Sequence, residues 1–509
     1  MRVTNMMIKN GSLSNIGKAK NQLLKADLQY TSQKKIQRPS DDPVIAVRAL
    51  KYRTQLSEIE QYVEKNIPDA YGWMNVTESA IGNINTMFAT MKGRLDQGAN
   101  GPLTASDRSD IAKVLKESVK SIYVDEANAN YAGRYVFTGY RTDTSLIFES
   151  PEQNLSYNIT EKFSINDVQK VNCVKGGANY TEGNTAQDYV DASASLESSY
   201  RVLLAYKNIS TSGMEIDTDG NGSWPADATE DYAEITYTMA DGTTKTVTAV
   251  TKLSTDDDVN EVAEDGIHLV ADTGELIFGD KLYKEMVENK SSWSITYTKK
   301  EFEGEDIRPE MYYECTSYNS ISEKTLSYID PHGQDIEYEI NFSQELKVNT
   351  QACDAISTDI RRTIEYIIST IDNVTEVNRK IDEVKQMIKT TTDDDEIENL
   401  KKLQETLESE LAMREQVMQE AFGKGLTMIT KTQAQLSDAE ADHGARYTRL
   451  DLTYNKLVEQ RDDFEDMMSE NEDMDLADAA IKLTQAQSLY YASLQGTMKV
   501  LGNSLLDYI

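Results

Sequence analysis

Proline is scarce in this chain, with eight among 509 residues. That scarcity leaves long helices uninterrupted, since an internal proline removes a backbone hydrogen bond and clashes with the preceding turn. Cysteine and histidine are equally sparse, at three each. Cys173, Cys315 and Cys353 are odd in number and hold no metal-like spacing, so neither a disulfide framework nor a zinc motif is predicted. His268, His332 and His443 lie far apart, with no His or Cys at helical ligand spacing, so no metal or catalytic histidine site is expected. Basic residues are outnumbered, 52 Lys and Arg against 86 Asp and Glu, for a net charge of −34. Such an acidic excess excludes nucleic acid as a partner, because phosphate binding needs clustered cations. No apolar run approaches the ~18 residues that span a bilayer, so no membrane association is expected. The first twenty residues carry no apolar h-region, so a conventional secretory signal is not predicted. No glycine-rich phosphate loop follows a strand and no nucleophile elbow occurs, so neither an enzyme nor a cofactor is expected.

What is present is helix, concentrated at the two ends. Ile16, Ala19, Leu23, Ala26 and Tyr30 step by three and four. Leu476, Ala480, Leu483, Gln487, Tyr490, Leu494, Thr497, Leu501 and Tyr508 keep a similar seam almost to the last residue. A narrow stripe at this spacing cannot bury itself and requires partner helices. Residues 1–51 carry ten Lys or Arg against three Asp, a net of +7, and residues 426–509 carry a net of −8. The opposite signs favour pairing the two ends with each other and disfavour pairing either with itself. A seam running this close to Ile509 also points to packing between copies, at Ile16, Leu23, Tyr30, Leu476, Leu483, Tyr490, Leu494, Leu501 and Leu505.

Between the ends the texture changes. Asp42 followed by Pro43 is a helix-start signature. A long stripe then runs from Ala49 through Leu56, Trp73 and Ile84 to Met91, with Pro68 expected to kink or end it. Gln97 to Gly101 reads as a turn, and a further helix is predicted from about 106 to 130. From about 137 to 349 short alternating runs such as Ala233–Met239 and Trp293–Thr298 read as strands between Asx- and Gly-rich turns. The runs at Leu155–Ile159 and Ile336–Ile340 look loosely alike, as if related hairpins. Helix returns near Cys353, with stripes from Ile360 to Ile381 and from Ile397 to Met418 on either side of an Asp393–Asp395 cap. The expected fold is mainly α: a long antiparallel coiled coil or helical bundle formed by both ends, with an inserted β-rich outer domain. The divisions are 1–35 and 471–509 as inner coiled-coil helices, 36–139 and 426–470 as a helical rod, 140–350 as the β-rich domain, and 351–425 as a helical hairpin.

Ser40, Asp41, Asp42, Pro43 and Arg48 within the run 40–50, Gly98 and Asn100 within 97–101, Arg134 and Phe137 within 133–139, and the terminal run 475–509 appear in that order. Together they resemble the bacterial flagellin family, and within it most closely the members that join hook to filament. The proline-containing 39–44 segment and the Asp507-Tyr508-Ile509 ending differ from filament flagellins. The resemblance covers about residues 1–140 and 426–509. It implies a structural subunit of the flagellum, without cofactor, exported unfolded through the flagellar type III channel on an N-terminal signal. The implied partners are further copies in a ring, flagellin, the preceding hook-associated protein and an export chaperone. It also implies chain ends that order only on assembly, consistent with the small burial available to a lone helix. The alternatives within reach of the residues are a filament flagellin and a coiled-coil-stalked adhesin.

Two smaller patterns remain. Asp217, Asp219 and Asn221, followed by Gly222, resemble the start of a calcium loop, but position twelve is Ala228, and an acidic turn is the simpler reading. Trp73, Met87 and Met91 lie on the helical seam and are expected in a bundle core, and His443 is expected to pack on its own seam.

Overall fold

A computed structural model describes residues 5–100, 103–176, 194–213, 215–216, 222–223, 232–256 and 258–502. Its helices in chain order are α1 (Asn5–Ser32), α2 (Pro43–Gln61), α3 (Ile67–Asn100), α4 (Ala105–Lys120), α5 (Asp280–Glu288), α6 (Ala352–Ala355), α7 (Asp359–Thr390), α8 (Asp394–Glu472) and α9 (Leu476–Gly502). Long helices occupy both ends and strands the middle, as the periodicities require. The chain divides into two compact units: residues 1–70, 338–346 and 447–509, and residues 71–337 with 347–446.

In the first unit α2 starts as its sequence dictates. Asp42 accepts hydrogen bonds from the amides of Val44 at 3.0 Å and Ile45 at 3.2 Å, and Pro43 stands at the first helical position. Its buried stripe is Ala46, Ala49, Leu56 and Ile59. Pro68 does not break the rod. A π-turn, Tyr62–Asn66, widens the helix one residue before α3 begins, and Ile67 N–H reaches Tyr62 O. That local widening absorbs the missing proton and the ring bulk of Pro68. The hairpin tip 338–346 packs beside this turn, with Asn66 donating to Glu339 O at 2.9 Å and Tyr338 hydroxyl to the Asp69 carboxylate at 2.5 Å.

The second unit combines helices with two large sheets and smaller hairpins. The larger, six-stranded and antiparallel, runs edge to edge through Lys324–Tyr328, Glu314–Asn319, Glu152–Ser164, Ser292–Phe302, Glu234–Thr238 and Thr244–Thr248. The smaller runs through Val250–Lys252, Ile267–Val270, Glu275–Phe278, Ala194–Leu203 and Gln169–Gly176. One apolar cluster spans both sheets, centred on Tyr157, Ile235, Leu276, Trp293 and Phe302. The two runs that look alike in sequence fall in different sheets: residues 155–159 lie in the long central strand Glu152–Ser164, and 336–340 overlap a separate two-stranded hairpin, Glu337–Asn341 with Gln344–Lys347. They are not a repeated pair.

Three helical expectations are corrected by packing. Residues 97–100 form no turn; α3 continues to Asn100, and Gly98 is buried against the Phe422 ring. A Cβ on Gly98 would stand 2.3 Å from that ring. Gly98→Ala should therefore lower stability by about 1–3 kcal/mol through overpacking, read as a shifted denaturant midpoint with an unchanged slope. The helix after residue 104 is α4, opened by a Thr104–Asp107 capping box and closed by a π-turn at Ser121–Glu126. Finally, no break falls at 425/426: α8 is one helix of 79 residues. Its first part pairs with α7 around Val377, Ile381, Val384, Leu400, Leu403 and Leu407, and Asp393 caps it by accepting from Asp395 N–H at 2.9 Å.

Inside this unit Glu161 is fully buried, accepting from Ala205 N–H at 3.0 Å and from the Tyr297 hydroxyl. Desolvation dominates and raises its carboxyl from 4.5 to about 7. The folded state thus holds the extra proton between pH 4.5 and 7. This contribution to stability is greatest below pH 4.5, falls as pH rises through 7, and is level above. Glu161→Gln should stabilise the protein by about 2–3 kcal/mol at pH 8 and change little at pH 4, as measured by urea unfolding at the two pH values.

Candidate assembly interface

The two chain ends meet in the first unit. Gln33, with φ of +57°, ends α1 in a left-handed turn. Lys34 then forms an isolated antiparallel bridge with Asp473. Lys35 N–H donates to Glu472 O at 2.7 Å and Met474 N–H to Gln33 O at 2.9 Å. Charge reinforces the backbone clasp. Lys34 pairs with Asp473 and lies 3.6 Å from Glu472, and Arg53 pairs with the same Glu472. The hydrogen bond to Asp473 raises the Lys34 ammonium, and the same bond lowers the Asp473 carboxyl. Lys34 and Asp473 are largely exposed, so their pair adds well under about 1 kcal/mol, whereas Glu472 is buried beneath Lys34 and Arg53. Their effect is to fix which ends pair, as the opposite net charges of the two ends predict.

Beyond the clasp α1 and α9 run antiparallel. Ala19 and Ala26 are buried on α1, and Ala479 and Ala486 on α9. Small side chains at seven-residue intervals allow the two helices to approach closely. Ile16 and Leu23, and Leu483, Tyr490 and Leu494, are partly buried on the same faces. Tyr30 is 38 % exposed and Leu476 53 % exposed. The expected α9 seam through Leu476 and Gln487 is therefore displaced, and the inward line is Ala479, Leu483, Ala486 and Tyr490. Leu505 lies outside the described residues, and nothing is described of the Leu501 side chain.

The outer faces are the reverse of a soluble hairpin. Leu13, Leu24 and Leu28 on α1 and Ile481, Leu489, Tyr491 and Met498 on α9 are each half exposed or more. α2 adds Val44, Val47 and Leu50, all above 60 %. Large apolar groups outside and alanines inside leave a helix pair whose main hydrophobic surface is unpartnered.

The remaining motif residues hold the fold. Asp41 accepts from the amides of Gln37 at 3.1 Å and Arg38 at 3.0 Å, bonds that lower its carboxyl. Ser40 lies in the same turn, and Arg48 is exposed on α2. Asn100 donates to Asp96 at 2.8 Å. Arg134 lies 5.1 Å over the Trp73 ring, and Phe137 is buried with its carbonyl accepting from Ala352 N–H at 2.9 Å. Met91 is buried, as its seam predicts, while Phe88 takes the fully buried place beside partly exposed Met87. His443 is buried and bonds Met74 O through Nε2 at 3.1 Å.

A cavity of about 490 Å³ in the second unit is lined by Tyr313, Tyr366, Lys424 and Met428. Of its charged walls, Arg201 pairs with Glu275 at 2.7 Å and Lys431 with Asp167 at 2.8 Å. Asp217, Asp219 and Asn221 lie outside the described residues. The thiols of Cys173, Cys315 and Cys353 are unbridged, and burial pushes that of Cys353 up to about 12. Sequence spacing misses one grouping: His332, Cys353 and Asp354 come together, with their ligand atoms all within 4.8 Å of one another. Among the described residues no helix is long and apolar enough to cross a membrane.

Residues 3–142 match the family described as the bacterial flagellin N-terminal helical region. Over 146 residues the chain is 26% identical to flagellar hook-associated protein 3 of Salmonella typhimurium and 25% identical to that of Escherichia coli. Each alignment covers 28% of this chain and 45% of the relative, so the chain spans less than half the length of the curated relatives it matches. Among solved structures, a putative flagellar hook-associated protein from Vibrio parahaemolyticus is 12% identical, with a TM-score of 0.38, covering 85% of this chain and all of that one. FlgL of Xanthomonas campestris is 12% identical with a TM-score of 0.30, covering 82% of this chain and 98% of that one. At these scores the architecture rests on the chain's own elements.

Proposed function

From the match of residues 3–142 to the bacterial flagellin N-terminal helical region, we propose a structural subunit of the bacterial flagellum that forms the adaptor ring joining hook to filament. The observation that carries this is the α1–α9 pair, closed inside by alanines and lined outside by Leu24, Leu28, Ile481 and Leu489. Such a pair is completed by neighbouring copies: each large side chain buried there recovers on the order of 1.5–3 kcal/mol. The names of the curated relatives, both hook-associated proteins, favour the junction over the filament.

In this reading the protein does no chemistry. One surface of the ring contacts the preceding hook-associated protein and the other contacts flagellin. The chain travels through the flagellar export channel without a cleaved signal, held beforehand by an export chaperone, and its ends order as they dock. Folding and assembly are then one event, which keeps free subunits dispersed. Immunogold electron microscopy of sheared flagella, with antibody against residues 140–350, tests it. A single gold band where hook meets filament is the expected result. Gold along the whole filament would make this a flagellin, and bare flagella would overturn the flagellar assignment.

A further inference from the structure

We propose that His332, Cys353 and Asp354 bind a divalent zinc-class metal ion where the turn at 330–334 meets the start of α6. The inference is independent of the junction reading, since it concerns side chains inside the second unit alone.

Three observations carry it. First, one nitrogen, one sulfur and one carboxylate oxygen converge, with all three atoms within 4.8 Å of one another. Thiol and imidazole together select zinc and its first-row neighbours over calcium or magnesium, which take oxygen. Second, the histidine is already oriented. His332 Nδ1 meets Asp330 Oδ1 at 2.5 Å, leaving Nε2 facing Asp354 Oδ1 at 3.9 Å. A carboxylate behind one imidazole nitrogen, with the other turned to the ion, is the usual outer-shell arrangement of zinc histidines. Asp330 is itself held from the far side by Lys162 Nζ at 2.9 Å.

Third, the two chain segments are locked together. Buried Gln351 accepts from Gly333 N–H at 3.1 Å and Gln334 N–H at 3.2 Å, and donates to Pro331 O at 2.5 Å. Asn349 adds bonds of 2.8 Å to Ile336 N–H and to Gln334 O. The turn that carries His332 is thereby fixed to the start of α6, which carries Cys353 and Asp354. Gln435 holds α6 in turn, donating to Asp354 O at 2.9 Å. A site whose backbone is this constrained has paid most of its ordering entropy in advance.

Tetrahedral bonds of 2.0–2.3 Å place ligand atoms about 3.5 Å apart. Closing from the present spacing needs side-chain shifts of about 1 Å, which the half-exposed Asp354 and His332 side chains can share while the Asp330 contact holds the ring's orientation. On binding, Cys353 gives its proton to solvent, the sulfur–metal bond forms, and water completes the fourth position.

The test is a titration of the full-length protein with Co2+, read by thiolate-to-cobalt charge transfer in the near ultraviolet, and with Zn2+ by calorimetry. A saturating one-to-one band is expected. It should disappear in Cys353→Ser and in His332→Ala, and persist in Cys173→Ser. Asp330→Asn should keep the stoichiometry and weaken zinc about 10- to 100-fold. Circular dichroism of each variant confirms the parent fold, and Cys353→Ala serves as a second probe of the sulfur. The absence of a charge-transfer band in the parent, or a band that survives in both Cys353 variants, overturns the proposal.

Discussion

Placing aspartate at both Leu28 and Leu489 should abolish filament growth while leaving the free subunit as stable as the parent. These side chains are 55 % and 50 % exposed on α1 and α9. In the isolated chain the substitution costs little, because the carboxylates face water. In the proposed ring the same positions would face neighbours. Each subunit then loses on the order of 1.5–3 kcal/mol of apolar burial per site and must also desolvate two charges without partners. Because every subunit is altered, the penalty repeats around the ring, and no intact ring should form. Cells carrying the variant should bear hooks without filaments and shed flagellin into the medium. The purified variant should keep the parent's thermal unfolding midpoint. Leu28→Met with Leu489→Met, which keeps volume and apolarity, should swim normally. Normal filaments on the aspartate variant would mean that these outer faces point to solvent in the flagellum.

That the two chain ends pair was legible in the sequence; the outward apolar residues Leu28 and Leu489 were not, and the reason is physical. Asp42 and Pro43 announce the start of α2 because capping is local: the carboxylate reaches amides two and three residues on. The charge difference between the ends likewise anticipates the clasp of Lys34 and Arg53 with Glu472 and Asp473. The register of α9 was less legible. Periodicity counts large apolar residues and so favours Leu476, whereas close helix approach selects Ala479 and Ala486 and turns Leu476 outward. Gly98 and Asn100 read as a turn because their intrinsic preference is for turns; the Phe422 ring against Gly98 overrides it. The division at 425/426 falls between the stripe that ends at Met418 and the rod segment 426–470, yet α8 passes straight through. Gly425 is needed there for closeness, since a Cβ would stand 2.8 Å from Ile367. The His332–Cys353 grouping depends on a hairpin that returns the chain to its own start, and no local pattern encodes that return.

Trp73→Ala should be the most destabilising single substitution considered, and its companion Trp73→Phe one of the mildest. Trp73 heads the seam of α3 and is fully buried. Its ring carries the Arg134 guanidinium at 5.1 Å, and the same guanidinium lies 5.8 Å from Tyr131. The small hairpin of Asn130–Tyr131 with Arg134–Tyr135 is thus seated on α3. Tyr131 in turn lies over Gly72, where a Cβ would meet its ring at 2.4 Å. Alanine at 73 removes the aromatic shelf and leaves a cavity that the helix cannot collapse, for a loss of about 3–5 kcal/mol, plus the cation–π term of about 1–2 kcal/mol. Phenylalanine keeps the shelf. It also removes the indole N–H, which finds no hydrogen-bond partner among the described residues. Deleting an unsatisfied buried donor recovers part of the lost packing, so Trp73→Phe should cost less than about 1.5 kcal/mol. Guanidinium unfolding followed by circular dichroism separates the two. Equal losses for both variants would mean that the full volume of the indole, rather than an aromatic face as such, holds the hairpin to α3.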